Sequence, residues 1–237
     1  MGKHFVLYFL MFFGHAMAQA GGDREKVSAL FLKVQKAYEK NTAFNFRLDY
    51  KLFATYTSAK VTEQYGGIFV RNGVSSYTKI GMTEFLRTAA VSIKVDNESK
   101  LMQVSRAAEQ AAGDAPYNLS AFLNNFKKFE IRSEGNIWVC ILTGPEVSLI
   151  PYGKVIVHVA MKDYRILKQE FYLLQANSYS NEKGQKKTAY PRLEISFSGF
   201  QVGSGNFDAV FKPDYFFRQK NKSLFPSKNY TGYKIVD

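Results

Sequence analysis

Between residues 44 and 52 every second side chain is apolar: Phe44, Phe46, Leu48, Tyr50 and Leu52 alternate with Asn45, Arg47, Asp49 and Lys51. Side chains of an extended strand point alternately to the two faces of its sheet, so this segment sets a greasy row on one face and a polar row on the other. A sheet wet on one side is antiparallel in character, because parallel sheets are covered on both faces and carry continuous apolar runs. The pattern recurs along the chain with turn residues between. Residues 61–71 read as a strand bent at Gly66-Gly67, Asn72-Gly73 as a hairpin turn, and residues 74–80 as the returning strand. Residues 91–95 and 101–104 flank a turn over 96–100. Strands are also predicted over 129–132, 137–143, 154–161, 166–174 and 193–200, with a turn at Asp163-Tyr164-Arg165. No strand–helix–strand rhythm appears, which argues against a parallel sheet.

Helices are few. Residues 23–41 predict one amphipathic helix, in which Val27, Leu30, Phe31, Val34 and Tyr38 recur on a single face. Asn118 or Ser120 can cap a second, short helix with Leu119, Phe122, Leu123 and Phe126 as its stripe. Residues 107–116 read as an Ala-rich loop or a short helix, residues 177–188 as a basic loop, and the tail over 225–233 as aperiodic chain wrapping the surface. The fold class expected is mainly β with some α, built on a curved antiparallel sheet, in one domain over residues 21–237.

The first twenty residues hold one basic side chain, Lys3, then an apolar run from Phe5 to Phe13, then small residues. Both Ala16-Met17-Ala18 and Ala18-Gln19-Ala20 satisfy the small-x-small rule of signal cleavage, and cleavage after Ala20 is favoured. The run is far short of the roughly 20 residues that span a bilayer. The net charge of +12 falls to +11 once Lys3 is gone. On an exported protein such charge suits anionic lipids or envelope polymers rather than nucleic acid. The one cysteine, Cys140, sits in an apolar run and excludes an intrachain disulfide. His158 is the one histidine beyond residue 20 and lies in a strand pattern, so no metal site is expected. No H-E-x-x-H, C-x-x-C or G-x-S-x-G motif is present. The chain is expected to be no enzyme and to carry no cofactor.

The unusual feature is aromatic: 21 Phe and 15 Tyr. They either fill a core or leave an apolar concavity able to take a hydrocarbon chain. At this point the order of elements resembles the periplasmic outer-membrane lipoprotein carriers, the LolA-like family. The carrying segments are the helix Val27 to Tyr38, the strand from Phe44 to Leu52, Gly66-Gly67-Ile68-Phe69-Val70-Arg71, Ser92 to Asn97 with Lys100-Leu101, the short helix from Leu119 to Phe126, Phe129 through Trp138-Val139, and the hairpin from Val155 to Phe171. The resemblance implies a half-closed antiparallel barrel lidded by the N-terminal helix and the short central helix, with a cavity for acyl chains. It implies a periplasmic carrier of lipid or lipoprotein acyl chains in outer-membrane lipoprotein sorting, docking to the envelope membrane surface or to membrane-bound partner proteins. Phe46, Leu48, Tyr50, Phe69 and Trp138 are the candidate cavity wall. In the family a basic residue at the end of the Gly-rich strand precedes a proline and helps hold the lid; Arg71 is the matching position, followed here by Asn72-Gly73. The alternative is a non-enzymatic envelope adaptor that uses the same fold for protein contacts and fills its cavity with its own side chains.

Overall fold

A computed structural model describes residues 18–106, 122–146, 150–180, 183–221 and 223–236. Helix α1 (Ala18–Glu39) is followed by β1 (Ala43–Phe53), β2 (Val61–Asn72), β3 (Ser75–Ile80), β4 (Thr83–Arg87), β5 (Val91–Asp96) and β6 (Leu101–Arg106). Next come β7 (Lys128–Glu134), β8 (Ile137–Thr143), β9 (Tyr152–Ala160), β10 (Ile166–Leu173), β11 (Asn177–Ser180), β12 (Lys186–Ala189) and β13 (Arg192–Val202). The C-terminal segment alternates 3-10 turns (Gly205–Phe211, Pro213–Tyr215, Lys228–Tyr230) with β14 (Phe217–Lys220), β15 (Ser223–Pro226) and β16 (Lys234–Val236).

Twelve strands form one curved sheet in the order β16-β6-β5-β4-β3-β2-β1-β13-β10-β9-β8-β7. All pairs are antiparallel except β16 with β6, and among the described residues β7 and β16 are free edges, so the sheet is not closed into a barrel. This is the architecture that the LolA-like resemblance implies. The short central helix is described only from Phe122 on, where Phe122 and Leu123 are helical; its start, with the Ala-rich stretch before it, lies outside the described residues, as do residues 1–17 of the predicted signal peptide.

The sheet has two cores on opposite faces. The five predicted stripe residues of α1 are all buried: Val27 and Val34 fully, Phe31, Tyr38 and Leu30 nearly so. They share one core with Phe44, Phe46, Leu48 and Phe69 of β1 and β2 and with Cys140, Leu142, Val155 and Val157 of β8 and β9, and the helix lies nearest to β7, whose Phe129 belongs to the same core. Tyr38 ties the helix end down, its hydroxyl accepting the Ile166 backbone N–H at 3.2 Å while its ring meets Phe44 at 5.6 Å. The second core joins Val70, Tyr77, Leu86, Ile93, Val95 and Met102 to Val210, Phe216 and Tyr230 of the C-terminal segment. Because Phe69 and Val70 are neighbours in β2 and belong to different cores, the apolar side of the sheet changes face at this strand.

That change hides several elements from sequence patterning. Strand β4 is not predicted, because its inward members are Glu84 and Leu86. Buried Glu84 is satisfied by the hydroxyls of Tyr77 (2.8 Å) and Tyr230 (2.9 Å) and by the Asn97 amide (2.9 Å). The stretch over 225–233, read as aperiodic chain wrapping the surface, completes the hairpin β14–β15, makes the 3-10 turn Lys228–Tyr230 and buries Tyr230 in the second core. The predicted loop over 177–188 holds the two-stranded hairpin β11–β12, whose mostly exposed polar strands carry no apolar period. The β2–β3 turn has Gly73 and Val74 at its centre, with Asn72 paired to Ser75. Gly73 has φ of +60°, the glycine-first form of the two-residue hairpin loop.

Gly67 is a close approach. A Cβ there would lie 2.7 Å from the Lys79 carbonyl oxygen and 3.4 Å from Leu48 Cβ, whereas one on Gly66 would meet nothing within 4 Å. Gly67→Ala is expected to cost about 1–3 kcal/mol by overpacking, and Gly66→Ala less than about 0.5 kcal/mol, read as shifts in the denaturant midpoint.

Candidate functional site

Register assigns each side chain to a face. Phe46 pairs with Phe69, Phe69 with Thr78, Thr78 with Phe85, Phe85 with Lys94 and Lys94 with Gln103. Directly paired residues share a face, so these six form one row across β1 to β6 on the side that carries α1. On the other flank Leu48 pairs with Phe197, Tyr50 with Ile195 and Leu52 with Leu193, and Leu193 with Phe171. Trp138 pairs with Val159, a member of the same core. Phe46, Leu48, Tyr50, Phe69 and Trp138 thus share the helix-bearing face.

They divide by what covers them. Phe46 (3% exposed), Leu48 (7%) and Phe69 (5%) lie in the packed core with α1, Phe46 stacked on Phe69 at 5.0 Å. Tyr50 and Trp138 are half-buried at its margin. Burial alone pushes the Tyr50 phenol above its ordinary pKa, as an apolar wall would. Half-buried Ile195, Phe197, Phe171 and Tyr152 extend this margin into an apolar tract. Arg71 stands on the same face, paired to Phe44, and its Nε donates to the Gly73 carbonyl at 2.9 Å within its own hairpin.

Past β2 the same face turns polar. A cavity of ≈ 350 Å³ opens over β3 to β6, with Ser76, Thr78, Arg87, Ser92, Lys94 and Gln103 among its lining. None of these is among the candidate site residues read from the sequence, although Ser92 and Lys94 fall in the segment from Ser92 to Asn97 that carries the resemblance. Their signal is faint: alternation in β3, β5 and β6 is present, but its apolar members Tyr77, Ile93 and Met102 point to the second core, leaving Ser, Thr and Lys on the face that β1 makes greasy.

The face opposite α1 carries a charge cluster on β9, β10 and β13. Glu170 accepts from His158 Nε2 at 2.9 Å and from Lys168 Nζ at 2.7 Å, with the Arg192 Nε at 4.0 Å. The His158 hydrogen bond, helped by Lys168, holds the Glu170 carboxyl down at about 2. Arg192 also pairs with Glu194 at 2.9 Å and lies over the Phe53 ring at 4.4 Å. His158 is therefore a partnered strand residue, and among the described residues no group of three or more His, Cys, Asp or Glu is placed to hold a metal ion. Cys140 is fully buried, and burial pushes its thiol up to about 12. The thiolate needed for nucleophilic chemistry is not formed near neutrality.

No protein-family model and no curated protein matches the sequence. Among solved structures the chain is similar to an uncharacterized conserved protein from Thermus thermophilus, at 8% identity and TM-score 0.50 over 89% of this chain and 98% of that one. That likeness is one of fold. It is also similar to a DUF1329 family protein from Desulfovibrio piger, at 11% identity and TM-score 0.40 over 80% and 97% of the two chains. A LolA superfamily protein from Nitrosomonas europaea matches at 17% identity and TM-score 0.29 over 80% and 98%.

The Glu170 carboxyl is lowered on folding from an ordinary 4.5 to about 2, so the stability it contributes is complete above pH 4.5 and drains away as pH falls toward 2. Chemical denaturation of wild type and Glu170→Gln at about pH 7 and about pH 3 is expected to show a stability gap that narrows at the lower pH. A gap that is unchanged or wider in acid contradicts this.

Proposed function

We propose that this chain is an exported, non-enzymatic carrier of the cell envelope that binds lipid or lipoprotein acyl chains on the helix-bearing face of its sheet, with α1 as a lid that yields to the chain. In this reading residues 1–20 are a signal peptide removed after Ala20, the protein works in the periplasm, and the process it serves is outer-membrane lipoprotein sorting. The observation that carries it is the half-buried apolar tract of Tyr50, Phe171, Ile195 and Phe197, continuous with buried Phe46, Leu48 and Phe69. The mature charge of +11 favours docking to anionic membrane surfaces or acidic membrane-bound partners. No helix among the described residues is long and apolar enough to cross a membrane.

The magnitudes fit exchange. Withdrawing α1 uncovers Val27, Leu30, Phe31, Val34 and Tyr38, and each such side chain is worth about 1.5–3 kcal/mol when buried. The total, roughly 8–15 kcal/mol, rivals the whole stability of an ordinary domain, so the helix stays down in the free protein. A hydrocarbon chain of about 14 methylenes in its place returns about 11 kcal/mol. Helix and acyl chain are near-equal competitors for one surface, as loading and release require.

One observation favours a second reading, the non-carrying envelope adaptor: Val27 and Val34 are fully buried, so the face beneath α1 is filled by the chain's own side chains. Residues 21–237, purified, extracted with organic solvent and titrated with a fluorescent fatty acid, separate the two. The carrier is expected to bind the probe saturably, and Ile195→Glu to weaken binding at least tenfold with an unchanged circular dichroism spectrum. Absence of both co-purifying lipid and probe binding leaves the adaptor.

A further inference from the structure

We propose that the polar cavity over β3 to β6 is an anion subsite that takes the phosphate-bearing head group of the amphiphile whose hydrocarbon lies on the apolar tract; this rests on the acyl-binding function proposed above. Three observations carry it. The cavity, at ≈ 350 Å³, falls within the range of small-molecule sites. It shares a face with the tract, because the row Phe46, Phe69, Thr78, Phe85, Lys94, Gln103 runs from apolar to cationic across adjacent strands. Among the described residues its lining holds Arg87 and Lys94 and no carboxylate.

Arg87 gives the site its direction. Its Nη2 is buried and has no hydrogen-bond partner among the described residues. A buried donor left unpaired costs about 1–3 kcal/mol, more when charged, a cost that an anionic oxygen arriving in the cavity removes. The planar guanidinium suits phosphate in two-point contact, and the hydroxyls of Ser76, Thr78 and Ser92 in the same lining can donate to the remaining oxygens. The nearest carboxylate along β5 on this face is Asp96. It is engaged by its own turn, accepting from the Ser99 hydroxyl at 2.6 Å and from the Glu98 N–H at 3.0 Å, and the Lys94 ammonium lies over the ring of Phe85 in the same lining at 6.0 Å. Strands lie about 4.8 Å apart, so β1 and the β4–β5 pair are separated by about 14–19 Å, a span an extended acyl chain covers.

The test is isothermal titration of residues 21–237 with a short-chain phosphatidic acid below its critical micelle concentration, with the diacylglycerol of the same chains, and with inorganic phosphate. Wild type is expected to bind the phosphatidic acid at least tenfold more tightly than the diacylglycerol. Arg87→Gln is expected to cut that preference at least fivefold, and the surface variant Lys94→Glu to do the same should Arg87→Gln fold poorly. Equal binding of the two lipids, or a preference unchanged in the variants, overturns the subsite while the carrier stands. Binding of inorganic phosphate, lost in Arg87→Gln, with neither lipid bound, leaves a phosphate site and overturns the carrier and the head-group assignment with it. No binding by any of the three overturns both.

Discussion

The apolar stripe of α1, lying along β7 and sharing one core with the aromatic rows of β1, β2 and β13, is the contact on which the rest of the molecule depends. A twelve-stranded open sheet with a greasy face cannot leave that face to water, and α1 is the element that covers it. Tyr38 locks the arrangement at one end through the Ile166 backbone and the rings of Phe44 and Phe200, and Arg24 covers Phe129 near the other. In the proposed carrier the same contact decides function. A side chain that closes the core also occupies the place a hydrocarbon would take.

Much of this is legible in the residues. The strict alternation over 44–52 marks β1 and its inward face, and the 3.6-residue stripe names the buried positions of α1, because in both segments one side meets the core and the other meets water. Legibility fails where that condition fails. In β4 the inward position is charged Glu84, tolerable because two tyrosines and Asn97 satisfy it. In the C-terminal segment, Phe216 and Tyr230 reach the core from irregular 3-10 turns, which have no long period to read. For the site, alternation puts Phe46, Leu48 and Tyr50 on one face but says nothing of what lies over it. The outcome is graded: Phe46 and Leu48 are buried in the core shared with the helix, and Tyr50 is half-buried at its margin.

The change of face at Phe69-Val70 organises the two halves of the sheet. On the β1 to β10 side the helix-bearing face is apolar, while on the β3 to β6 side the core lies opposite, sealed by Tyr230 and Phe216. One continuous surface therefore runs from aromatic to hydroxyl-lined and cationic. In the proposed carrier this surface takes an amphiphile end to end, and it arises from strand pairing alone. The Glu170 cluster lies on the far face and belongs to stability rather than to this surface.

In the proposed carrier, α1 and an acyl chain compete for the same aromatic wall. Hydrogen exchange at the α1 amides, measured with and without a saturating fatty acid, tests that competition most directly. Exchange over residues 23–39 is expected to quicken at least tenfold in the complex while β1 and β13 stay protected. Bound ligand with α1 protection unchanged or increased would contradict it.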